Sequence, residues 1–289
     1  MIKKAREISR LIGMRFTERG IGYGWATIIG SLVAYRGIPD LFRLVYAFLT
    51  NFLIINAIYV YNDVVDYEYD KVNKINRPIT TDRVTRKEGK IVALISFLCG
   101  ILLSALANVQ TLLISSFLSV LGFLYSAEPI RLKNRFLIEH PIPAVGAFLS
   151  CLMGGSVANN LSVQVFYLGI ITFMMWISGT PLFDLPDLTG DKVGKSNIID
   201  IVYGPKFGIK FSIVGLTLVI VVTVLSYPYA GLNVITPVMV TSTCLILIWL
   251  AYGLMERWQD GHYCRKTLNK FIALNLICQV SYVLGTLQI

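Results

Sequence analysis

Apolar residues run through this chain in long blocks separated by short polar breaks, without the sustained alternation of half-buried strands. A helix needs about 20 mostly apolar residues to cross a bilayer core. Against that length nine segments qualify, near 20–36, 41–62, 89–108, 110–127, 139–158, 163–183, 206–227, 230–255 and 267–288. The first is the shortest and is rich in glycine. The breaks at 107–109, 158–162 and 227–230 are very short, whereas those between them are longer and charged. The expected fold is an all-α integral membrane protein, residues 1–289 forming one domain of nine transmembrane helices.

Composition agrees: 55% of the 289 residues are hydrophobic and 15% charged, against about 25% charged in soluble domains. A net charge of +9 would suggest nucleic acid in a soluble protein. Here its placement matters more, because basic residues gather on the cytoplasmic side of membrane spans. Of 26 Lys and Arg residues, 24 fall in the N-terminal arm and the long loops of one face, leaving Arg36 and Arg43 on the other. That asymmetry puts the N-terminus and every long polar loop in the cytoplasm, with membrane lipids rather than nucleic acid as surroundings. The segment from Met1 to Arg19 is charged throughout and lacks the apolar core of a signal peptide. Four of the five cysteines lie in apolar runs and read as small core residues. The two histidines, His140 and His262, are too few for an imidazole metal site or a histidine relay.

Two polar breaks repeat a pattern. Asp63, Asp66 and Asp70 follow the second segment, and Asp184, Asp187 and Asp191 follow the sixth, each offset by 121 residues. Positions i, i+3 and i+7 share a helix face, so each triplet predicts an acidic stripe, the second interrupted by Pro186 and Gly190. Carboxylates this close repel and call for a compensating cation. Oxygen ligands suit Mg²⁺, which takes one or two carboxylates plus substrate phosphates. Two such stripes on one membrane face predict two or more Mg²⁺ ions holding a diphosphate between them. Asn62 is a further neutral ligand for metal or phosphate. Lys71 and Arg77 beside the first stripe, and Lys192 and Lys195 beside the second, are candidates to neutralise the diphosphate. A third loop after the fourth segment adds Tyr125, whose ring can face a carbocation, with Arg131 and Lys133 reaching the phosphates.

The motif Asn62-Asp63-x-x-Asp66-x-x-x-Asp70, followed by Asn76-Arg77-Pro78-Ile79, resembles the first signature of the UbiA superfamily of intramembrane prenyltransferases. Asp184-x-x-Asp187-x-x-Gly190-Asp191-Lys192-x-x-Gly194 resembles the second. Tyr125-Ser-Ala-Glu-Pro-Ile-Arg-Leu-Lys133 is similar to the family's tyrosine–lysine loop, closest to the form in chlorophyll-synthase-like members. Glu128 replaces a residue usually neutral there, and Ser196-Asn197-Ile198 replaces a Thr/Ser-Leu-Pro run; both departures bear on the acceptor class. The resemblance implies nine helices around a central cavity, capped by the loops after helices 2 and 6. It implies Mg-dependent transfer of an isoprenoid chain from a polyprenyl diphosphate to a lipophilic acceptor, with Asp66, Asp187, Tyr125 and Lys192 as catalytic residues. The acceptor classes are a quinone precursor, a prenylglycerol phosphate or a tetrapyrrole. Arg15, Arg19, Arg131, Lys133, Arg265 and Lys266 are candidate anchors for a phosphate-bearing acceptor. Two other classes compete. A secondary transporter would carry ionisable residues halfway through several spans, and segment 230–255 has none. A lipid-diphosphate phosphatase would need a histidine cluster.

Overall fold

The computed structural model describes residues 2–72, 75–136, 138–188 and 198–287. These residues form α1 (Ile2–Arg15), α2 (Ile21–Tyr35), α3 (Leu41–Val65), α4 (Tyr67–Val72), α5 (Arg86–Ala107) and α6 (Val109–Ser126). They continue with α7 (Pro141–Val157), α8 (Val163–Asp184), α9 (Ile199–Val202), α10 (Pro205–Ser226), α11 (Ile235–Arg257) and α12 (Gly261–Gly285). No strand occurs among the described residues. Seven of the helices, α3, α5, α6, α8, α10, α11 and α12, are long and apolar enough to cross a membrane. The apolar helices α2 and α7 are shorter, at 15 and 17 residues. A π-helical turn, Phe16–Gly20, joins α1 to α2, and the residues flanking it keep right-handed helical dihedrals. The rod therefore runs on from Ile2 to Tyr35.

Local chemistry sets the helix ends. The Asp40 carboxylate accepts from the Phe42 N–H at 3.0 Å, and Asn108 Oδ1 accepts from the Thr111 N–H at 2.8 Å. Thr85 and Glu88 form a capping box at the start of α5, with Glu88 answering the Thr85 N–H at 2.8 Å. Pro141 and Pro205 open α7 and α10, where the missing N–H costs nothing.

The helices close into a ring in which each of α2, α3, α5, α6, α7, α8, α10, α11 and α12 packs on the next and α12 returns to α2. The surface is inverted relative to a soluble bundle. On α5, Leu94, Leu98 and Leu102 point outward at one-turn spacing, while Ser96, Gly100 and Ser104 are buried. On α6, Phe117 and Val120 are exposed, whereas Thr111, Ser115, Ser119 and Ser126 face inward. Lipid covers the large apolar face, and small residues let the backbones approach.

The tightest approach is between α2 and α7. A Cβ added at Gly30 would lie 2.1 Å from the Cys151 carbonyl oxygen, and one at Gly154 would lie 2.1 Å from that of Thr27. Across the same crossing Ser31 Oγ donates to the Gly154 carbonyl at 3.0 Å. Asn51 of α3 donates to Thr27 Oγ1 at 2.7 Å and Ser150 Oγ at 3.1 Å, tying three helices together.

Beyond the second aspartate motif, Asp200 on α9 is 1% exposed, and among the described residues its two carboxylate oxygens have no hydrogen-bond partner from another residue. It lies so close to Gly208 that an added Cβ would meet its Oδ1 at 1.9 Å. Burial pushes its carboxyl up to about 7.

Candidate active site

The ring encloses one large cavity of about 1310 Å³. Its walls come from α2, α3, α6, α7, α8 and α12, and it reaches Leu216 and Leu247 on α10 and α11. The lower part is apolar and aromatic, with Tyr23, Ile55, Ile58, Leu118, Met175 and Trp176. Polar groups collect at the loop end, where Asn62, Asp66, Asp70, Arg77, Tyr125, Arg131, Lys133 and Asp184 all line the same space. Eight residues nominated from the sequence thus converge on one mouth, from loops up to 122 positions apart.

The first acidic triplet does not form one stripe. Helix α3 ends at Val65, and Asp66 caps it at φ −86°, ψ 6° before α4 resumes. This small break sends neighbouring carboxylates to different partners. Asp63 is fully buried, gripped by Nε and a terminal nitrogen of Arg15, with Nε to Oδ2 at 2.7 Å. Arg77 bridges Asp63 at 3.3 Å and Asp70 at 2.9 Å. Asp66 turns instead to the third loop, where Arg131 meets Oδ1 at 3.0 Å and the Lys133 ammonium meets Oδ2. Four cations therefore neutralise three carboxylates, so the charge balance assigned to metal alone is already largely struck by the chain itself. Burial still raises the Asp70 carboxyl, opposed by Arg77 and reinforced by Asp66, and burial lowers the Lys133 ammonium.

The third loop is built to reach Asp66. Arg131 adopts a left-handed conformation at φ 37°, which costs a non-glycine residue about 1–3 kcal/mol. It heads a short 3-10 turn, Leu132–Asn134. Glu128 holds the other arm of its guanidinium at 2.7 Å, and Tyr69 lies beneath at 5.0 Å from the ring centroid. The acidic residue that departs from the family loop is thus the clamp on Arg131. Asn62 Oδ1 accepts from Ser126 Oγ at 2.6 Å and Lys133 Nζ at 3.1 Å.

Lys71 is placed elsewhere. Its Nζ donates to the Tyr67 hydroxyl at 2.8 Å and to Asp82 at 3.2 Å, and it is not part of the cavity wall. The reason is helical: it follows Asp70 by one position, about 100° around the axis. Asp63 also lies behind the wall rather than on it. At the second motif α8 ends at Asp184 and the chain tightens into a 3-10 turn, Leu185–Asp187, at the Pro186 interruption the sequence marks. The side chain of Asp187, and Asp191, Lys192 and Lys195 entirely, lie outside the described residues. Among the described residues no three acidic, histidine or cysteine side chains group closely enough to hold a metal by themselves. What fits a cation is the run of oxygen donors facing the cavity, Asn62, Asp66, Asp70 and Asp184, of the type Mg²⁺ prefers.

Several lining residues were not nominated. Tyr23, Tyr59, Trp176 and Phe183 join Tyr125 as aromatic walls. Tyr23 and Tyr59 are linked through their hydroxyls at 3.2 Å, and the Trp176 ring lies 4.9 Å from that of Tyr23. Arg15, a candidate acceptor anchor by sequence, is instead a counter-charge of the buried Asp63. Its signal was the one-turn spacing from Leu11, since both are buried on the same side of α1. His140 lies beside the second motif, its Nδ1 3.7 Å from Asp184 Oδ2. Burial pulls its imidazole down to about 4, so it is neutral.

The model of the UbiA prenyltransferase family matches residues 23–275. A digeranylgeranylglyceryl phosphate synthase of Methanosphaera stadtmanae is 25% identical over 263 residues, covering 91% of this chain and 94% of that one. The protein of the same name from Pyrococcus horikoshii is 32% identical over 206 residues, covering 68% and 70%. Among solved structures, a digeranylgeranylglyceryl phosphate synthase in membranes superposes with a TM-score of 0.77 at 21% identity, covering 98% of both chains. A UbiA homolog from Archaeoglobus fulgidus bound to GPP and Mg²⁺ superposes with a TM-score of 0.72 at 14% identity, covering 93% and 98%. The chain belongs to the UbiA prenyltransferase family and is an integral-membrane enzyme of isoprenoid transfer.

Proposed function

We propose that the cavity mouth binds a polyprenyl diphosphate, with Mg²⁺ held by Asn62, Asp66, Asp70 and Asp184 together with Asp187 and Asp191 of the second motif. The observation that carries this reading is the convergence of Asn62, Asp66, Asp70 and Asp184 with Arg77, Arg131 and Lys133 on one mouth above an apolar cavity. Bound Mg²⁺ supplies positive charge to the diphosphate as it leaves. Arg77, Arg131 and Lys133 add donors at the same place, with the arginines able to grip two oxygens each. The allylic C–O bond breaks with its electron pair going to the diphosphate, leaving a carbocation on the prenyl chain. The aromatic wall below, including Tyr125 and Tyr59, keeps water away and turns π faces to that charge. An acceptor hydroxyl oxygen then bonds to the cation and gives up its proton to an oxygen of the departed diphosphate. Lys192 and Lys195 are further diphosphate contacts in this reading.

For the acceptor we infer a prenylglycerol phosphate. The names of the relatives from Methanosphaera and Pyrococcus support this choice over a quinone precursor or a tetrapyrrole. Arg265 and Asn269 on the α12 side of the cavity supply polar contacts for its head. Helices α2 and α7 complete the nine spans of this reading, with the mouth in the cytoplasm.

Purified enzyme given labelled geranylgeranyl diphosphate and a panel of three acceptors should form product with the glycerol phosphate ether, and only with Mg²⁺. Asp66→Ala and Asp187→Ala should each lower turnover by at least about 100-fold, the scale of losing a key electrostatic group. Near-normal turnover in either variant would refute the two-cluster site, whereas product with another acceptor would refute only the acceptor assignment.

A further inference from the structure

His140 stands at the N-terminal end of α7, 2% exposed, outside the cavity wall. Its ring reaches both flanks of the second aspartate motif. On one side the Ile199 backbone N–H donates to Nε2 at 3.5 Å, at the first turn of α9. On the other, Nδ1 faces the Asp184 carboxylate at 3.7 Å, at the last turn of α8. A neutral imidazole has one acceptor nitrogen and one donor nitrogen. With Nε2 accepting from Ile199, the ring proton belongs on Nδ1, directed at Asp184. A closing movement of about 0.7 Å brings that pair within ordinary N–H···O distance.

We propose that His140 is a positioning residue: its Nδ1–H orients the Asp184 carboxylate toward the cation and diphosphate, while Nε2 accepts from the backbone at Ile199. The inference rests on the two-cluster reading above. A side chain behind a ligating carboxylate, fixing its direction by one hydrogen bond, changes metal affinity by about 10- to 100-fold when removed.

The two ring nitrogens can be tested separately. The amide of His140→Asn puts its N–H at the place of Nδ1, whereas that of His140→Gln puts its oxygen at the place of Nε2. His140→Asn should keep a Mg²⁺ half-saturation close to that of the parent. His140→Gln should raise it by about 10-fold or more with little change in thermal midpoint. Equal shifts in both variants, or none in His140→Gln, would overturn the assignment. A measurement on the unaltered protein does not depend on the variants folding. Nitrogen-15 spectra of the two histidines should show one fixed as the Nδ1–H tautomer and moving when Mg²⁺ and inorganic diphosphate are added. An Nε2–H tautomer, or no response, would sink the proposal. Loss of all Mg²⁺ dependence in the parent would instead remove the two-cluster reading beneath it.

Discussion

The two aspartate motifs share one spacing, but the chain treats them differently. At the first, Asp63, Asp66 and Asp70 sit among Arg15, Arg77, Arg131 and Lys133, which come from three separate segments. At the second, Asp184 ends a helix that Pro186 tightens, and its described titratable neighbour is a neutral histidine. The first motif is thus held by charge before any ligand arrives, whereas at Asp184 of the second the described residues bring helix geometry and a neighbouring imidazole. Equal spacing in sequence places carboxylates at matching positions but does not say how they are restrained, because restraint comes from residues far away in the chain.

The largest expected effect comes from breaking the charge lock. Arg15→Met leaves a fully buried Asp63 with Arg77 as its remaining ion-pair partner. Removing one member of a buried pair costs about 3–5 kcal/mol. Thermal unfolding in detergent should show a drop of that size, and a loss below about 1 kcal/mol would mean that the first motif is not held as described.

On the other side of the comparison, Asp200 tests how far the second region tolerates a buried carboxyl. Its pKa rises from 3.8 to about 7 on folding. The folded state therefore holds a proton that the unfolded state releases, and stability falls as pH climbs from about 4 through about 7. Above that window the penalty is on the order of 4 kcal/mol, at about 1.36 kcal/mol per pKa unit. Asp200→Asn should flatten the pH dependence and raise the midpoint at pH 8. A parent midpoint that does not change between pH 5 and 8 would contradict it.

The smallest effect belongs to Lys71. Exposed and held by Tyr67 and Asp82, it should be replaceable by alanine with turnover and thermal midpoint unchanged. A clear rise in KM for the prenyl diphosphate would return it to the mouth.

Much of this was legible in the sequence. The seven long apolar helices fall where the apolar blocks lie, because lipid imposes length and hydropathy directly. Which side chains gather at the cavity was legible too, since eight of those the sequence points to meet at one mouth. The direction of Asp66 was not, because it is fixed by Arg131 and Lys133, at least 65 positions away. Lys71 was nominated by adjacency, although one step along a helix turns a side chain away from its neighbour. Tyr23 and Trp176 carried no signal of their own, as aromatic residues in a membrane bundle mostly pack or anchor.

The unbroken run from α1 through the π-helical turn into α2 sets a limit on shortening the enzyme. Leu11 fills a pocket with Val60, Val64 and Ile79, four residues before Arg15 reaches Asp63. Trimming back past Leu11 would open a hole beneath the first motif, and trimming past Arg15 would strip an interior anion of its chief partner. The charged arm is, in three dimensions, part of the packing that holds the first motif in place.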